Sequence, residues 1–75
     1  MMKGSIYSND YIYLTNQLKK ARKEAKLTQR EVAEHLGHSQ SYVSKAEIGQ
    51  LKLDILELRA FANLYKKNLD FFIGE

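Results

Sequence analysis

The chain contains no cysteine, no proline and no tryptophan, and only four of its 75 residues are glycine. Lack of cysteine excludes a disulfide framework and thiolate metal sites, and agrees with a reducing cytoplasm. Lack of proline, together with the lack of any low-complexity tract, repeat or linker, points to a continuous helical bundle. No apolar run approaches the ~20 residues that a membrane span needs. The opening MMKGSIYSNDYIYL has one lysine but no apolar h-region and no cleavage site, which argues against an export signal. Net charge is only +3, and it is unevenly spread. Residues 1–27 carry six cations (Lys3, Lys19, Lys20, Arg22, Lys23, Lys26) against Asp10 and Glu24, giving +4; the remainder carries six cations against seven acids, giving −1. A pI near 9.2 permits a polyanionic partner but does not establish one, since a solvated basic helix face has the same composition.

What is present is helical periodicity. At 75 residues and 44% hydrophobic, the chain is expected to form one all-α domain over residues 11–75, with residues 1–10 as a disordered N-terminal segment. A domain this small buries roughly 60% of its unfolded surface. Leu14, Leu18, Ala21 and Ala25 fall at helical spacing and predict a first helix from about Tyr11 to Ala25, capped by Asn9 or Asp10. Thr28 and Glu31 have capping-box spacing and open a second helix to about Leu36, which Gly37 stops. Ser39 caps a third helix from Gln40 to about Glu47, and residues 48–53 read as a loop. Asp54 and Glu57 repeat the capping box and open a fourth helix expected to turn Ile55, Leu58, Phe61, Ala62 and Tyr65 inward. Asn68 is expected to cap a short fifth helix with Leu69, Phe71, Phe72 and Ile73.

Enzymatic and metal chemistry find little support. His35 and His38 lie near Glu31 and Glu34, but Gly37 breaks the helix between the histidines and no further ligand cluster exists. Nothing arranges a nucleophile beside an oriented base, and no glycine-rich phosphate loop is present, so neither an enzyme nor a cofactor is expected. The tyrosines, Tyr7, Tyr11 and Tyr13 among them, are read as packing residues and not as base-stacking platforms.

The stretch TQREVAEHLGHSQSYVSKAE, residues 28–47, holds the functional signal. Val32 and Leu36 form the apolar stripe of the second helix, Ala33 is small enough for a close helix approach, and Gly37 supplies a left-handed turn. Val43 and Ala46 return as buried positions of the third helix. Together these spacings describe a helix-turn-helix, whose helices cross at roughly 90–120°. With Val43 and Ala46 inward, the outer face of the third helix presents Gln40, Ser41, Ser44 and Lys45. Short, mostly uncharged polar side chains suit the reading of base edges: glutamine pairs with the N6/N7 edge of adenine, and serine bonds either type of base edge.

LKKARKEAKLTQREVAEHLG, HSQSYVSKAEIGQLKLD and FANLYKKNLDFFIGE together resemble the Cro/phage-repressor type of helix-turn-helix, also called the XRE family, over about residues 12–74. The resemblance implies a five-helix, lambda-repressor-like fold with the third helix in the major groove. It implies base readout by Gln40 and Ser41, followed by Ser44 and Lys45. It implies phosphate contacts by Gln29 and Arg30 at the start of the second helix, by the Tyr42 hydroxyl, and by Gln50 and Lys52 on the other groove wall. It further implies a largely buried structural bridge between Arg22 and Glu47. Departures from the family pattern are Ala46 in place of a larger aliphatic residue, His38 after the glycine, apolar Ile48 and Leu51, and Lys66–Lys67 in place of the glycine after the fourth helix; Asn68 is then expected to take the left-handed conformation.

The function expected is that of a cytoplasmic transcriptional regulator, a repressor, which binds a palindromic operator in double-stranded DNA as a homodimer. Leu51, Leu53 and Phe71 are candidates for the dimer contact. With no room for a ligand-sensing domain, concentration or a protein partner would supply control. A restriction–modification controller is a variant of that reading. A different one is an antitoxin or protein-interaction adaptor that grips a toxin or another regulator and binds DNA weakly.

Overall fold

Capping residues set the ends of the helices in this proline-free chain. A computed structural model describes residues 9–74, which form five helices: α1 Asn9–Glu24, α2 Gln29–Leu36, α3 Gln40–Ile48, α4 Ile55–Tyr65 and α5 Leu69–Ile73. The expectation for the N-terminal segment lies, for residues 1–8, outside the described residues. At α2 the Glu31 N–H donates to Thr28 Oγ1 (3.1 Å) and the Thr28 N–H donates to Glu31 Oε1 (2.9 Å). At α4 the Glu57 N–H donates to Asp54 Oδ1 (2.8 Å) and the Asp54 N–H to Glu57 Oε1 (2.9 Å). Ser39 and Asn68 cap α3 and α5 by accepting from the N–H groups of Tyr42 (3.1 Å) and Phe71 (3.2 Å).

The first four helices end in one type of turn. In each, a residue with positive φ donates its N–H three residues back, and the next residue donates five back: Lys26 to Lys23 and Leu27 to Arg22, Gly37 to Glu34 and His38 to Ala33, Gly49 to Ala46 and Gln50 to Lys45, Lys66 to Asn63 and Lys67 to Ala62. These paired bonds satisfy carbonyls that a helix end leaves open.

Several expectations need correction. Asn9 and Asp10 lie within α1 and do not cap it; just beyond them the Tyr11 hydroxyl donates to the Leu51 carbonyl at 2.8 Å. At the other end α1 stops at Glu24 and Ala25 is exposed, since the Lys26 turn closes the helix before a further turn forms. Ile48 is the last residue of α3 and not part of the loop. Ile55 is 61% exposed; it sits at the first position of α4, beyond the core edge, where Leu51 and Leu53 of the preceding loop pack instead. Lys66, not Asn68, takes the left-handed conformation, and Asn68 is extended.

The core gathers Leu18 and Ala21 of α1, Val32 and Ala33 of α2, Val43 and Ala46 of α3, Leu58, Phe61 and Ala62 of α4, and Phe72 of α5. Gln17 Nε2 donates to the Phe71 carbonyl (2.9 Å), and Lys67 Nζ meets Glu24 Oε1 (2.9 Å), so α1 is also tied to the C-terminal region.

Tyr65 is 5% exposed and packs on Phe61, with ring centroids 6.1 Å apart. Its buried hydroxyl has no hydrogen-bond partner among the described residues, and burial pushes its pKa upward. An unsatisfied buried hydroxyl is destabilising. Tyr65→Phe is therefore expected to leave stability unchanged or raise it by up to about 1 kcal/mol. The urea midpoint checks this, and a marked loss would mean that the hydroxyl has a partner in solution.

Candidate nucleic-acid interface

The reversal between α2 and α3 takes only residues 37–39. Gly37 has φ 72° and ψ 32°, the left-handed region, and a Cβ placed there would meet no atom within 4 Å. Backbone conformation alone is what calls for glycine here. Ser39 then starts α3 at a new angle, with Val43, Ala46 and Glu47 facing inward. Nine residues make α3 about 13 Å long.

With that seam buried, Gln40, Ser41 and Lys45 are exposed and Ser44 is half-buried. They form a polar strip with one cation, on a helix held at its N-terminus by a serine cap and from behind by the core. Gln50 and Lys52 are exposed in the loop after α3, and Arg30 is exposed in the first turn of α2. Arg30 Nε lies 3.8 Å from Glu34 Oε2, an exposed pair worth only a few tenths of a kcal/mol.

Behind the strip lies a buried polar cluster. Glu47 is 1% exposed, and its carboxylate accepts from Arg22 Nε (2.7 Å), Arg22 Nη2 (3.2 Å) and Gln29 Nε2 (3.0 Å). Arg22 also donates from Nη1 to the Leu27 carbonyl (3.1 Å). The hydrogen bond and charge of Glu47 raise the Arg22 pKa further above its ordinary value, against the lowering effect of burial. This cluster joins the end of α1, the start of α2 and the end of α3 through two oxygens. Nothing in the sequence marks Gln29 as part of it, because the two residues are 18 apart and on different helices. The Gln29 amide is thereby half-buried and oriented, while its backbone N–H belongs to the first turn of α2, where helices leave donors unpaired.

Tyr42, expected to reach the DNA backbone with its hydroxyl, is half-buried. Its ring stacks on His38 (centroids 3.7 Å apart, planes 8° apart) and faces Phe61 at 6.1 Å. Burial pushes its hydroxyl up to about 12, helped by the charge of Glu57, by a hydrogen bond to that residue and by the charge of Asp54. Stacking thus ties the first turn of α3 to His38 of the preceding turn and to Phe61 of α4.

Leu51, Leu53 and Phe71 are likewise half-buried and packed against their own core. The large apolar side chains left exposed are others, among them Ile48, Ile55 and Leu56. Among the described residues no group of three His, Cys, Asp or Glu side chains is placed to hold a metal ion, and no helix is long and apolar enough to cross a membrane.

A family model described as Helix-turn-helix matches residues 18–72, more than half of the chain. That span runs from the middle of α1 into α5 and includes the α2–α3 corner. No curated protein matches the chain.

Proposed function

Because the chain belongs to the helix-turn-helix family, in its Cro/phage-repressor form, and is a DNA-binding regulator, we propose that it represses transcription by binding a short palindromic operator as a homodimer. One observation carries this reading: α3 turns Gln40, Ser41 and Lys45 to solvent over a buried Val43–Ala46–Glu47 seam. A helix of that length fits the major groove, roughly 12 Å wide, and those side chains reach base edges there. Ser44 completes the reading strip. The backbone N–H of Gln29, with Arg30, grips phosphate on one groove wall, where the α2 dipole favours an anion. Gln50 and Lys52 grip the other wall.

Two copies bind with recognition helices ~34 Å apart, one helical turn of DNA. Doubling the module supplies the contacts that one copy lacks. Since Leu51, Leu53 and Phe71 are drawn onto their own core, Ile55 and Leu56 are the better candidates for the contact between copies; they are adjacent at the start of α4 and 61% and 64% exposed. The protein acts in the cytoplasm, with concentration or a protein partner as its control.

Selection of preferred duplexes from a random DNA pool tests the reading. A regulator of this kind yields a consensus with two related half-sites, and its affinity falls with salt at a slope near −0.9 per neutralised phosphate. Lys52→Ala is expected to lower that slope by about 0.9 for each bound copy while weakening binding to all duplexes alike. Recovery of a random pool after selection, together with tight capture of one protein partner, would favour the adaptor reading instead.

A further inference from the structure

The helix-ending turn that this fold repeats is built on glycine at Gly37 and Gly49, but on lysine at Lys26 and Lys66, each with φ 60°. Among the described residues these two lysines are the only non-glycine residues with positive φ. The left-handed region suits glycine, tolerates asparagine, and is strained for a lysine. Local backbone preference therefore opposes lysine at both positions, so its presence asks for another cause.

The surroundings supply one. Lys67 Nζ reaches Glu24 Oε1 at 2.9 Å, which joins the α4–α5 turn to the end of α1. Lys19, Lys20 and Lys23 line the outward side of α1 beside Asn16 and Glu24. Lys26 follows one turn later, and Lys66 adjoins Lys67. Lys19, Lys20, Lys23 and Lys26 thus run along the second half of α1 into its end turn, and the Glu24–Lys67 pair brings the Lys66–Lys67 turn to the same helix end. Lys67 is further held over the Phe71 ring, 4.6 Å from its centroid. None of the other five lysines makes an ion pair among the described residues. Glu24 is held below its ordinary carboxylate range, first by the Lys67 bond.

This excess of charge is not where bases would be read: the α3 strip has one cation, Lys45. The basic rim instead begins at Lys26, three residues before Gln29 at the start of α2. Lysines in such numbers attract phosphate oxygens and release counterions without regard to sequence.

We propose that this rim is a second DNA contact, which takes the sugar–phosphate backbone of the same duplex flanking the operator half-site, and that Lys26 and Lys66 are kept in strained turns to extend it. The proposal rests on the regulator reading above. On it, the protein's footprint is longer than the base pairs that α3 specifies, and part of its affinity comes from DNA whose sequence is immaterial.

The double variant K26G/K66G tests it, since glycine suits both turns. The selected duplex is prepared with long random flanks and trimmed to its specified base pairs, and each form is titrated with both proteins at several salt concentrations. Wild type is expected to bind the long duplex more tightly than the trimmed one. The variant is expected to lose that advantage, with a salt slope on the long duplex about 1.8 shallower per bound copy, for two phosphates, or about 3.6 for the dimer. Binding to trimmed duplex should stay at the wild-type level, and Tm should be equal or higher. Indifference of wild type to flank length, or a variant that binds the long duplex like wild type, overturns the proposal while the regulator reading stands. A complex in which one protein dimer bridges two duplexes overturns the assignment to flanking DNA. If wild type distinguishes no duplexes at all, the regulator reading fails and this proposal with it.

Discussion

Glu47→Gln is expected to lower stability by about 3 kcal/mol, and Tm by about 12 °C or more. The carboxylate is buried and accepts from Arg22 twice and from Gln29 once. Breaking a buried pair by removing one charge leaves the other uncompensated, at a cost of about 3–5 kcal/mol. The Arg22 side chain is 15% exposed, so some solvent reaches its charge and the lower end of that range applies. The amide can retain one acceptor, but it places a donor where Arg22 and Gln29 also donate. Thermal unfolding followed by circular dichroism reads the effect. An unchanged Tm would mean that the bridge contributes nothing in solution. Replacing Arg22 and Glu47 together by leucine should recover much of the loss, because an apolar pair of similar volume avoids the desolvation of two charges.

Gln40→Ala is expected to leave folding intact and to erase discrimination worth ~1–3 kcal/mol, or about 5- to 150-fold, between the selected duplex and one with an adenine replaced in the half-site. Gln40 is exposed and follows the cap residue of α3, so truncation removes no packing and no capping bond. Affinity for unrelated DNA, which depends on phosphates, should remain near wild type. Competition titrations against single-substituted duplexes give the comparison. Loss of the same factor on every duplex would assign Gln40 to the backbone instead.

Much of this architecture is written locally. Thr28 with Glu31, Ser39, and Asp54 with Glu57 are short-range capping signals, and they place the starts of α2, α3 and α4 without reference to the rest of the fold. Helical periodicity around Val43 and Ala46 likewise gives the outward side of α3. What could not be read locally depends on neighbours distant in sequence. Tyr11 near the start of the described part of α1 bonds the Leu51 carbonyl, 40 residues away, and Asn9 and Asp10, which read as caps, lie inside the helix. Ile55 fits an inward pattern, yet the core ends before it reaches that position. The half-buried setting of Tyr42, stacked on His38 and facing Phe61, depends on α4. Composition suggests a basic chain, but only the fold brings Lys67 to Glu24 among the α1 lysines.

Backbone amide shifts during titration of the labelled protein with its selected duplex test the central claim most directly, and 8.7 kDa suits the experiment. The largest changes are expected at Gln40, Ser41, Ser44 and Lys45, with a second group at Gln29, Arg30, Gln50 and Lys52. Changes confined to Ile55, Leu56 and their surroundings, with α3 silent, would show that the outward side of α3 does not enter DNA.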